Sequence, residues 1–179
     1  MSQRTRAIDI EAFDTFVETQ VDTAECELID GVIVMMTNPT ETHEQIAGNI
    51  GAPLKLAMDA RQCRTYQGGM WVQRPDDPRD TDKTRPDVVV RCGPVAARTF
   101  ITDPLVVVEV LSPSTASIDR RERRLVYLAI PTLQHYLIVD PAGVVDIYTP
   151  EGTHQILGPG DQIALACANT LLLVDELFE

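Results

Sequence analysis

The sequence predicts a mixed α/β domain, a β-sheet flanked by helices, and three observations carry that reading. Val88-Val89-Val90 and 105–111 are near-continuous apolar runs, the pattern of strands covered on both faces. Segments 8–18, 42–60 and 118–130 place apolar residues at helical spacing. Asp30-Gly31 between apolar flanks marks a tight hairpin turn. At 179 residues and 44% hydrophobic content, the chain suits one domain with a sizeable core over 1–179.

Taken in order, 8–18 reads as an amphipathic helix through Ile10, Phe13, Phe16 and Val17, and 26–36 as the hairpin. Thr40 or Thr42 can cap the next helix, which carries Ile46, Ala47, Ile50, Leu54 and Met58, with a kink or break expected near Pro53. A strand follows at 65–73, then a polar surface loop at 74–85. After the two apolar strands, Ser114 or Ser117 caps the helix 118–130 and Pro131 punctuates its end. Strands are expected at 135–139 and 144–148, with weaker strand signals at 163–166 and 171–174. Trp71 and Tyr136 read as core.

Composition excludes some functions. Net charge is −12, from 27 acidic against 15 basic residues, which argues against non-specific binding to a long polyanion. It is compatible with an acidic homo-oligomer, such as a dimer. Of the basic residues, 13 are Arg and only Lys55 and Lys83 are Lys. No apolar run approaches the roughly 20 residues of a membrane helix, and no signal core follows the polar N-terminus. A cytoplasmic protein without membrane contact is expected. Cys26, Cys63, Cys92 and Cys167 form no Cys-x-x-Cys pair, and no His stands at zinc spacing from them, so they read as half-buried thiols in a reducing compartment.

Glu109 is the most informative residue. A carboxylate inside a buried apolar strand costs several kcal/mol unless it has a partner, so it is a ligand, half of a buried ion pair, or an edge-strand charge facing water. Asp87 alone reads as a loop Asp bonded to its own backbone, but it opens a core strand. Arg74-Pro75-Asp76 repeats the Arg85-Pro86-Asp87 tripeptide without such a strand behind it, which marks it as a decoy. Together, an Asp at one strand start and a Glu in the next can converge, and Mg²⁺ or Mn²⁺ favours two such carboxylates with water and phosphate oxygens. Arg120, Arg121, Arg123 and Arg124 are either a solvated helix face or, through Arg120 and Arg124, a local phosphate contact.

Several strings then fall into one pattern: Glu27-Leu28-Ile29-Asp30-Gly31, His43, Arg85-Pro86-Asp87-Val88-Val89-Val90, Val108-Glu109-Val110-Leu111-Ser112-Pro113-Ser114-Thr115, Asp119, Tyr127, and His135-Tyr136-Leu137-Ile138-Val139-Asp140-Pro141. The chain resembles the Uma family of restriction-endonuclease-like proteins, a branch of the PD-(D/E)XK superfamily, over about 25–148. The resemblance implies a restriction-endonuclease-like core behind an N-terminal helix and hairpin. It also implies Asp87 and Glu109 as metal ligands, with Glu27, His43, Asp119 and Tyr127 in supporting roles. The superfamily carries a Lys two residues after the Glu, where this sequence has Leu111. The Uma branch places a Lys four residues before the helix Tyr, where this sequence has Arg123.

Arg123 is therefore expected to point into the Asp87/Glu109 cleft and to hold a phosphate oxygen bidentately, but it cannot shed a proton to activate water. Lys55 and Lys83 remain open as alternative cations. The expected activity is metal-dependent hydrolysis of DNA phosphodiesters. The alternatives are a nuclease-fold binding module that has lost cleavage, or a homo-oligomeric interaction protein with a vestigial site.

Overall fold

The Asp9 side chain accepts the Ala12 N–H at 2.9 Å and starts helix α1, Ile10–Thr19, which buries Ile10 and Phe13. The computed structural model describes residues 7–19, 26–59, 61–75, 77, 79–112 and 116–179. Ser114 and Asp76, a candidate cap and the decoy, lie outside them. Strands β1 (Cys26–Ile29) and β2 (Val32–Met35) form the expected hairpin. Asp30 and Gly31 turn it with φ of 49° and 72°, the left-handed geometry that Asp-Gly tolerates.

Thr40 caps helix α2, Glu41–Asp59, accepting the His43 N–H at 3.2 Å. Of the kink or break expected near Pro53, the break does not occur, and the helix runs on through it. Ile46, Ile50, Leu54 and Met58 bury one continuous face in the main core, and that packing outweighs the bond Pro53 cannot make. The strand expected at 65–73 is two, β3 (Cys63–Gln67) and β4 (Trp71–Gln73), in different sheets. Gly68 and Gly69, at φ of 56° and 79°, turn the chain between them. The expected surface loop 74–85 is partly core, because Asp80, Asp82, Lys83 and Thr84 are buried and β5 (Lys83–Thr84) bridges β1 and β4.

After β6 (Val88–Cys92), β7 (Phe100–Ile101) and β8 (Pro104–Val110), the helix expected at 118–130 is composite. It runs as α3 (Ala116–Ile118), a π-helical segment (Asp119–Arg123) and α4 (Arg124–Leu128), with Ser117 inside it. Strands β9 (His135–Asp140), β10 (Val144–Tyr148), β11 (His154–Leu157), β12 (Gln162–Leu165) and β13 (Thr170–Leu173) complete the order before a short 3-10 turn, Asp175–Phe178.

A six-stranded sheet runs β11-β10-β9-β8-β6-β3, beside a five-stranded sheet β2-β1-β5-β4-β7 and a β12-β13 pair. The architecture is mixed α+β. Strands β6 and β8 are antiparallel with Val88 opposite Val108, while β8 and β9 are parallel. Alternation along β6 and β8 sends Val88, Val90, Val106 and Val108 toward α2, and Val89 and Val107 toward Leu111, Tyr127 and Tyr136. Both faces are covered, which is why these runs lack polar alternation.

The cysteine reading needs correction. Antiparallel β3 and β6 set Cys63 opposite Cys92, and the two form a disulfide across 29 positions, while Cys26 and Cys167 are free. Strand register made that pair, and no local spacing announces it. The four-thiol argument about compartment therefore does not stand.

Candidate active site

The register that pairs Val88 with Val108 brings Asp87 and Glu109 next to each other on adjacent strands, where both line a cleft of about 730 Å³. The Asp87 Oδ2 accepts the Val110 N–H at 2.7 Å and lies 3.2 Å from the His43 Nε2 in the first turn of α2. Strand and helix thus hold this carboxylate from two sides. That hydrogen bond to Asp87 raises the His43 pKa against the opposing effect of burial.

Glu109 sits deeper, 3% exposed, and its Oε1 accepts the Tyr127 hydroxyl at 2.7 Å. Arg123, 1% exposed, places Nη1 3.6 Å from the Glu109 Oε2. Its Nη2 donates to the Glu27 Oε2 and its Nη1 to the Asp119 Oδ1, and both acids are fully buried. The other Glu27 oxygen accepts the Arg85 backbone N–H at 2.6 Å. Tyr136 donates its hydroxyl to the Asp119 carbonyl at 3.1 Å. Asp119, Arg123 and Tyr127, spaced by four, turn a polar stripe of the helix toward Glu27 and Glu109.

Burial pushes the Glu109 carboxyl well above its ordinary range; Arg123 opposes this, and Asp87, Asp119 and Glu27 add to it. Burial also works against the Arg123 charge, but Glu109, Glu27 and Asp119 outweigh it and keep the guanidinium protonated. Tyr127 and Tyr136 are pushed up by burial and stay hydroxyl donors.

The structure therefore brings together Asp87, Glu109, Arg123, Glu27, His43, Asp119 and Tyr127. Arg123 stands in the cleft, as the resemblance to the Uma family implies. Both its terminal nitrogens point at carboxylates, however, so the expected bidentate grip on phosphate would have to displace them. Arg120 and Arg124 do not line the cleft. Arg120 pairs with Asp146 and, at 3.2 Å, with Asp140, and Arg124 lies 5.0 Å from the Tyr148 ring centre. Neither lysine lines it either. Lys55 is exposed on α2, and Lys83 is buried against Asp14 at 2.6 Å. Sequence reasoning missed Arg85 and the Gly68-Gly69 turn as cleft-lining residues, and only Arg85, two residues before Asp87, carried any signal; Tyr136 is core, as expected.

The family model of Uma2, described as "Putative restriction endonuclease", matches residues 13–171. The chain belongs to the Uma2 family. Among similar proteins of Synechocystis sp. (strain ATCC 27184 / PCC 6803 / Kazusa), "Uncharacterized protein slr1290" is 31% identical over 159 residues, 85% of this chain and 82% of that one. "Uncharacterized protein sll1609" is 27% identical over 124 residues, 66% of this chain and 67% of that one. The crystal structure of "a putative nuclease belonging to DUF820" from Anabaena variabilis ATCC 29413 matches with a TM-score of 0.75 at 18% identity, over 96% of this chain and 97% of that one. This Uma2 chain and that protein share a fold, and family and fold together are nuclease-like. Among the described residues, no helix is long and apolar enough to cross a membrane.

Among those residues, too, no cluster of three or more His, Cys, Asp or Glu side chains is arranged around a metal position. Mg²⁺ does not require one, since it is commonly held by one or two carboxylates and completed by water and substrate oxygens. Hard oxygen donors at Asp87 and Glu109, with an excess of carboxylates over cations beneath them, fit such an ion.

Proposed function

We propose that this protein hydrolyses DNA phosphodiesters with Mg²⁺ or Mn²⁺ held by Asp87 and Glu109. The observation that carries the reading is their convergence from adjacent antiparallel strands onto one cleft. A divalent ion there would polarise a phosphodiester and lower the pKa of an attacking water. The chain's own groups do the positioning. Val110 N–H and His43 orient Asp87, and the Tyr127 hydroxyl orients Glu109. Glu27 and Asp119 anchor Arg123, whose charge favours the ionised form of Glu109 that a cation needs.

A second reading is a nuclease-fold binding module that holds metal without cleaving. It is favoured by Arg123, which keeps its proton, and by Leu111, which puts no cation on the strand. Titration with Mn²⁺, followed by the loss of its free electron-paramagnetic signal, tests both readings against the Asp87→Ala variant. The expected result is binding by the parent, loss of binding in the variant, and slow metal-dependent nicking of supercoiled plasmid by the parent alone. Binding without nicking selects the second reading, and absence of metal binding rejects both.

Arg123→Lys is expected to raise the nicking rate by about tenfold or more, because a lysine can take and release the water's proton and such bases contribute roughly 10²–10⁴-fold. A rate equal to or below the parent's would show that the lost lysine does not limit cleavage.

A further inference from the structure

The cleft has two kinds of lining. One is acidic: Glu109 is buried, the Asp87 side chain is 23% exposed, and Glu27 and Asp140 line the cleft as well. The other is apolar: Met36, Pro39, Pro86, Leu111 and Pro141. Pro39 and Pro141 are exposed, and Met36 is half-buried with its sulfur 3.2 Å from the Arg123 Nη2. At about 730 Å³ the cleft has the size that encloses one group as large as a nucleotide. A phosphodiester and its sugar are polar and gain little from apolar walls, whereas the face of a base gains from them. In a duplex that face is stacked on its neighbours and out of reach.

The charge distribution also disfavours a duplex. Proteins that bind one neutralise several closely spaced phosphates at once with Lys and Arg. This chain has a net charge of −12, and many of its cations are already paired: Arg74 with Asp80 and Asp82, Lys83 with Asp14, Arg91 and Arg98 with Asp103, Arg120 with Asp140 and Asp146. A single strand entering by one nucleotide needs no such track of cations. We propose that the cleft takes an unpaired nucleotide of a single DNA strand in preference to paired duplex, with the base against the apolar walls and the phosphodiester at Asp87 and Glu109. The chemistry of the ligand rests on the function proposed above; the choice of unpaired over paired strand rests on the lining of the cleft and the charge around it.

The test is equilibrium binding to the full chain in Ca²⁺, read by fluorescence anisotropy. The probes are a short fluorescein-labelled single-stranded DNA and the blunt duplex of the same sequence. The single strand is expected to bind about 10–100-fold more tightly, the worth of one base held against side chains. Met36→Gln keeps the side-chain length and can still accept from Arg123, but it makes one wall polar. It should weaken strand binding about threefold to tenfold, the loss of part of one apolar side chain's contact, and leave duplex binding unchanged. Pro39→Ser, at an exposed position, should act in the same direction.

Equal affinity for strand and duplex, or tighter binding of the duplex, overturns the proposal. So does a strand preference that neither Met36→Gln nor Pro39→Ser reduces, because the strand then lies outside the cleft. Binding of neither probe overturns it as well. If Met36→Gln fails to fold, Pro39→Ser decides. Cleavage is read separately, in Mn²⁺. A strand preference that the wall variants reduce, in a parent that cuts neither the strand nor supercoiled plasmid, upholds the occupant and overturns the nuclease reading. Nicking by a parent without strand preference upholds the nuclease reading and overturns the unpaired nucleotide.

Discussion

Arg123→Ala is expected to destabilise the fold by about 3–5 kcal/mol, the usual consequence of removing one partner from a buried ion pair. The variant would leave Glu27 and Asp119, both fully buried, without their shared guanidinium, and Glu109 without its nearest cation. Urea unfolding followed by circular dichroism measures it, and at about 2 kcal/mol per molar urea the midpoint should drop by roughly 2 M. Replacing the network together, as Arg123→Met with Glu27→Gln and Asp119→Asn, should recover most of that loss, because the one acid left without its cation is Glu109, whose charge burial already disfavours. An unchanged midpoint for Arg123→Ala would mean that these acids fold protonated and need no guanidinium.

Glu109→Gln is expected to separate activity from stability in the opposite way. Gln keeps the shape and still accepts the Tyr127 hydroxyl, so the urea midpoint should stay level or rise. Burial already disfavours the Glu109 charge, and the change relieves its repulsion with Asp87, Asp119 and Glu27. On the function proposed above, the metal would lose one of the two carboxylates that hold it. Metal-dependent nicking should fall on the order of 10³-fold, since a catalytic metal is worth several kcal/mol and each 1.36 kcal/mol is tenfold. Nicking within about tenfold of the parent would remove Glu109 from the metal site. Together, the two variants distinguish a residue that holds the cleft from one that works in it.

The carboxylate pair was legible because it broke a pattern. Glu109 interrupts an otherwise apolar strand and stands out by itself, whereas Asp87 reads alone as a loop Asp and gains meaning only beside Glu109, at the start of a core strand. Arg123 was legible only through the family resemblance, which sets a lysine four residues before the helix Tyr, and the hairpin by Asp30-Gly31. The Gly68-Gly69 break was misread because an alternating pattern does not say which sheet a strand joins. At Pro53 the helix is unbroken because the packed face of α2 overrules local propensity.

By itself, the sequence determined the kinds of element, the covered strands and the acidic residues that approach each other, because side-chain periodicity and turn chemistry are local properties. Only the tertiary structure decided what each cation does. Arg123 became the counter-ion of three acids, Arg120 and Arg124 turned away to Asp140, Asp146 and Tyr148, Lys83 was buried against Asp14, and Cys63 met Cys92. Long side chains reach several ångströms in many directions. Their partners come from strand register and helix docking, which join residues as far apart as Glu27 and Arg123.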